Sequence, residues 1–156
     1  MSKAYRDGAI GALLDEHERA AGELLRVLEP LDDEAFRVIR DPATSDETCR
    51  SIQTIVAHVL RSGYGYANSI RGAFGLTVAS PEMLTIERPD VRAEMPHMLA
   101  YLAAALEGRW RMSDAEIMSI RMVSRHGPTY DLEQLLEHAI VHILRHRRQI
   151  ERFLGR

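Results

Sequence analysis

The chain has 156 residues, 46% hydrophobic and 28% charged, which is enough apolar material for a buried core and too much for a disordered or fibrous polypeptide. A formal net charge of −3 and an isoelectric point near 6.2 argue against nucleic acid or an anionic membrane as the main partner, because both reward a basic surface. Cys49 is the sole cysteine, which excludes an internal disulfide and a cysteine-based zinc or iron–sulfur site, and the N-terminus is charged where a signal peptide needs apolar residues; a cytoplasmic protein off the membrane is expected.

The first helix is expected over about residues 5–28, where Ile10, Leu13, Leu14, Ala21, Leu24, Leu25 and Leu28 recur with helical period, and Pro30 ends it. His17 lies near the middle of this stripe. Two readings stand: a core histidine satisfied by one hydrogen bond, or an imidazole lent to a cleft shared with the C-terminal helix. Residues 31–48 are mostly polar, include Pro42, and read as a connection with one short helical turn. A second long helix starts near Ser51, an N-cap residue type, and runs to about Phe74 through Ile52, Ile55, Val56, Val59, Leu60, Ala67 and Ile70. At about 100° per residue, His58 falls on the flank of this apolar arc, so a ligand there would meet its partners at a seam between helices. Gly63, Gly65, Tyr64 and Tyr66 suit either a close helix contact or a pocket wall.

Gly72, Gly75 and Pro81 break the pattern, and residues 76–90 read as a loop. Pro89 and Pro96 bracket the start of a third long helix, with Pro96 in its first turn and Met98, Leu99, Leu102, Ala103, Ala105 and Leu106 as its apolar face. Ser113 and Glu116 have capping-box spacing, which predicts a short helix over residues 114–123, closed by Gly127 and Pro128. His97 and His126, beside loops, read as solvated.

The last helix is capped by Asp131 with Gln134 three residues on, and its stripe is Leu132, Leu135, Leu136, Ala139, Ile140, Ile143, Ile150 and Leu154. It carries His138, His142 and His146 at four-residue intervals, a spacing that lines side chains along one ridge ~5–6 Å apart. On the helical wheel His146 lies inside the apolar arc, His142 at its edge and His138 outside it, exposed. His142 and His146 are therefore the inward pair, and an i, i+4 imidazole pair can give two ligands to one ion. Arg145 and Arg148 read as a wet face, and Arg147 as the partner of a carboxylate that the sequence does not identify. Four long amphipathic helices without a convincing strand indicate an all-α four-helix bundle with long connections and short extra helices, one domain spanning residues 1–156.

Two stretches, SIQTIVAHV (residues 51–59) and LLEHAIVHILRHRRQI (residues 135–150), resemble the DinB/YfiT-like family of metal-binding four-helix bundles, and the resemblance extends over essentially the whole chain. It implies a divalent-metal site of one histidine on the second helix, which falls on His58, and two on the last, which fall on His142 and His146. The segment HRRQ looks like the family's His-Arg-Gly-Gln signature, with Arg148 where the glycine is usual. For relatives with known activity the resemblance implies thiol-dependent transferase or isomerase chemistry with a low-molecular-weight thiol cofactor.

Three protein ligands with open positions describe a reactive site rather than a closed structural one. Imidazole suits zinc, nickel, iron or copper, with zinc or nickel the first expectation. The expected function is a metal-dependent enzyme that activates a low-molecular-weight thiol or water against a small electrophile, of S-transferase, isomerase or hydrolase type. The alternative is a non-catalytic metal-binding bundle acting as a stress-linked binding module. A small-molecule substrate and a homodimer are expected, and His17, His138 and Tyr64 are the nearest candidates for auxiliary roles.

Overall fold

The computed structural model of the protein describes residues 4–79, 85–124 and 127–156; Pro81 and His126 lie outside them. Among these residues the regular structure is helical apart from one two-stranded ribbon and an isolated bridge between Ile39 and Ser51. Four long helices, α1 (Gly8–Leu28), α3 (Ile52–Ala73), α4 (Arg88–Ala105) and α6 (Leu132–Phe153), form the bundle. Two short ones, α2 (Asp33–Arg37) and α5 (Asp114–Ser119), and a 3₁₀ turn at Glu47–Cys49 lie in the connections. The ribbon pairs β1 (Met122–Val123) antiparallel with β2 (Thr129–Tyr130), Met122 opposite Tyr130.

Around the bundle α1 packs on α6, α6 on α3, α3 on α4 and α4 on α1. The consecutive long helices α1 and α3, and likewise α4 and α6, therefore face each other across a diagonal, and the long connections within these two pairs are the crossovers that this arrangement requires. The core is filled from all four helices: Leu24, Leu60, Met98 and Ile143 meet in one half, and Ile10, Ile70, Leu102 and Leu135 in the other. Each such side chain, removed from water, contributes roughly 1.5–3 kcal/mol before the entropy of ordering is counted. Gly63 lets α3 and α4 approach, since a Cβ there would stand 2.5 Å from Met98 Sδ.

Three boundaries differ from the sequence expectation. The first helix starts at Gly8 rather than residue 5: Gly8 has φ +75°, and a Cβ on it would stand 2.1 Å from the Trp110 carbonyl oxygen. The third begins at Arg88 with Pro89 in its first turn, so Pro96 is interior, not at the start. Val91 and Met95 are both buried and already belong to the apolar face, whereas Pro96 is exposed, where the carbonyl that its ring orphans can turn to water. The short helix capped by Ser113 and Glu116 stops at Ser119, and Met122–Val123 is strand, paired with Thr129–Tyr130; strands of two residues have no periodicity to read.

Candidate metal centre

Two capping boxes set the register of the helices that carry the site. Ser51 and Thr54 exchange side-chain and backbone bonds at the start of α3, and Asp131 and Gln134 do the same at the start of α6. Ala57 and Val59 bury on either side of His58, and Ala139 and Ile143 bury beside His142, so the histidines emerge at the edge of the α3–α6 seam, half-buried. The rings of His58, His142 and His146 converge there. Their centroids are 4.9 Å apart for His58–His142, 4.9 Å for His58–His146 and 4.5 Å for His142–His146.

One nitrogen from each ring lies within 4.8 Å of the other two, a group that could hold a metal ion. His142 Nε2 is 3.1 Å from His58 Nε2. Two nitrogens bound at 2.0–2.1 Å to a tetrahedral zinc would stand ~3.3 Å apart, so this pair has the spacing of an edge of such a site. His146 Nδ1 is 3.1 Å from Gln149 Oε1, an acceptor that places the ring proton on Nδ1 and leaves Nε2 as the lone-pair nitrogen. Burial, and then the neighbouring imidazole, push His58 down to about 4 and His142 to about 3; burial also lowers His146. The three rings are thus neutral at pH 7, the form that donates to a cation.

The other histidines part company with this group. His17 is 2% exposed inside the core and takes no part in the cluster, so it is a core histidine and is not lent to the shared cleft; its Nδ1 has no hydrogen-bond partner among the described residues. His97 is exposed. His138, expected in solvent, is half-buried: its ring stacks on Tyr130 at 5.3 Å and meets Tyr66 edge-on at 5.5 Å. The wheel carries no information about the ribbon laid over that flank of α6. Tyr64 donates its hydroxyl to Glu94 on α4 at 2.6 Å and does not line the cleft beside the three imidazoles. Arg147 finds its carboxylate in Glu23 of α1.

That cleft encloses about 820 Å³ and is walled by α3, α6, the ribbon and the Asp46–Thr48 loop, with His58 and His142 on its surface. Sequence reasoning gave no role to several of its residues or to those behind it. Gln149 was present in the HRRQ segment at i+3 from His146, a readable signal for an orienting partner. Cys49, whose Sγ is 3.7 Å from Gln149 Oε1 and 3.4 Å from Asp46 Oδ2, is joined to the site by a contact across 100 positions that only the fold reveals. Arg61 reaches the rear of the site, its Nη2 3.5 Å from His58 Nδ1.

The architecture and this seam define a helical bundle with a three-imidazole group open to a cleft. Residues 16–150 match the family model described as the DinB superfamily, and the chain belongs to that superfamily. No curated protein and no solved structure matches the chain. No helix among the described residues is long and apolar enough to cross a membrane.

Proposed function

We propose that the protein binds a divalent metal ion through His58, His142 and His146 and acts as a metal-dependent enzyme on a small electrophile, with a low-molecular-weight thiol or water as the nucleophile. The observation that carries this reading is the convergence of three neutral imidazoles, from two helices, beside an open cleft. A divalent ion held there by three uncharged ligands would lower the pKa of a bound thiol or water. The chain's own contribution is to keep the rings deprotonated by burial, to orient His146 through Gln149, and to cover one edge of the centre with Tyr66. Zinc and nickel suit this donor set. Titration of the metal-free protein with each is expected to give one site per chain, lost in His58→Ala. Equal uptake by that variant would end the proposal.

A second reading, a non-catalytic metal-binding module, is favoured by the engagement of the cleft's other titratable groups. Asp46 accepts bonds from Thr48, and His138 is stacked on Tyr130. Thiol consumption with a panel of electrophiles, with and without metal, separates the two: metal-dependent turnover supports the enzyme, and metal uptake without turnover supports the module.

A further inference from the structure

The three imidazoles stand at one side of the cleft, and a continuous aromatic surface leads away from them. Tyr66 meets the His142 ring edge-on at 5.7 Å and the His138 ring edge-on at 5.5 Å, and His138 in turn stacks on Tyr130 at 5.3 Å with 27° between planes. Leu135 and Met122, buried at 3% and 6% exposure, back this wall. Tyr66 and Tyr130 rest with one side on the core, but core packing leaves their other side uncovered, since all three rings are only half-buried and line the cleft. Tyr66 comes from α3 and His138 from α6, while Tyr130 lies on β2 directly before α6, so no single helix stripe explains their meeting.

The chemistry of the wall selects its ligand. Flat π surfaces favour a flat partner in stacked or edge-to-face contact over an aliphatic chain of equal area. Rings also attract cations, and the cleft carries one charge of each sign in Arg61 and Asp46, so the wall selects on planarity rather than on ligand charge. We propose that Tyr66, Tyr130 and His138 form a recognition subsite for an aryl or conjugated planar group of the substrate, whose polar head lies at the three-imidazole centre. The inference rests on the metal-binding reading above and adds to it the class of electrophile.

The test uses two probes that share a metal-chelating head and differ by one ring. The full-length protein is loaded with nickel or zinc, uptake is read first, and the dissociation constants of acetohydroxamate and benzohydroxamate are measured by calorimetry. Burial of the ring predicts that benzohydroxamate binds about 10- to 100-fold more tightly. In Tyr130→Ala that advantage is expected to shrink to about threefold or less while acetohydroxamate affinity and metal uptake stay as in the wild type. Tyr66→Leu provides a second variant should the ribbon be disturbed. Metal uptake with equal affinity for the two probes overturns the subsite alone, as does an advantage that survives both substitutions. A chain that takes up no metal overturns the subsite and the proposed function together.

Discussion

At the scale of single residues, the site depends on proton placement more than on the presence of histidines. Gln149 is the clearest case. With its oxygen 3.1 Å from His146 Nδ1, it selects the tautomer whose free nitrogen is Nε2. Outer partners of this kind typically govern 10- to 100-fold in metal affinity. Gln149→Leu is therefore expected to weaken zinc or nickel binding by about that factor in a competition titration, with the metal-free fold intact by circular dichroism, whereas Gln149→Glu keeps an acceptor and the affinity. An unchanged affinity in Gln149→Leu would show that the contact orients nothing. His17 illustrates a different consequence of burial. Its folded-state pKa of about 4, lowered by burial from 6.5, means that between these values the unfolded chain holds a proton that the folded chain lacks. Stability from this residue is complete above about pH 6.5 and drains away as pH falls toward 4, on the order of 3 kcal/mol over the whole window. The cluster histidines drain stability in the same direction, so the measurement is a difference: urea unfolding of metal-free wild type and His17→Leu at pH 7.5 and 5, with the variant losing less. Equal losses would contradict the assignment.

At the scale of elements, two of the three glycines of α3, Gly63 and Gly65, have opposite functions although both lie in the helix interior. Gly63 is the close contact: a Cβ there would meet Met98 at 2.5–3.0 Å, so Gly63→Ala must displace that side chain, at a cost of about 1–3 kcal/mol. Gly65 faces the cleft with nothing within 4 Å, so Gly65→Ala is expected to stabilise by about 0.5–1 kcal/mol through helix propensity. Thermal denaturation of the two variants reads the contrast directly, and matching signs would refute it. Local signals of this kind decide what can be read from sequence. The Ser51–Thr54, Ser113–Glu116 and Asp131–Gln134 boxes mark where three helices start because capping is a matter of four consecutive residues. The stripes of α1, α3 and α6 likewise name their buried faces. Pro96 misleads because the cost of an interior proline depends on whether its orphaned carbonyl faces solvent, which is a tertiary property. The ribbon over α6 escapes notice because two-residue strands have no periodicity, and with it goes the correct environment of His138. His58, His142 and His146 are legible as candidates from spacing and resemblance, and Gln149 is readable from its i+3 place after His146, while Cys49 enters the site's surroundings through a contact between distant stretches and Tyr130 through the ribbon laid on α6.

At the scale of the whole molecule, the question is what a cation at the α3–α6 seam would do to a bundle whose core already spans all four helices. Both halves of that core draw residues from α1, α3, α4 and α6, so no pair of helices can separate without exposing apolar surface in each half. We expect one cooperative unfolding transition, coincident by far-ultraviolet circular dichroism and by fluorescence of Trp110. A ligand that binds only the folded chain then stabilises the entire bundle rather than one seam. At a hundredfold excess over the dissociation constant that linkage amounts to about 2.7 kcal/mol, which for a chain of this size corresponds to a rise in Tm of about 5–10 °C. His58 lies on α3, and His142 and His146 lie on α6, so the gain requires both helices in register. His58→Ala is expected to leave the metal-free Tm nearly unchanged, since the residue is half-buried at the bundle's edge, while losing most of the rise with zinc or nickel. A rise of full size in His58→Ala would place the cation elsewhere on the molecule, and no rise in the wild type would leave the three imidazoles as a polar seam without a metal.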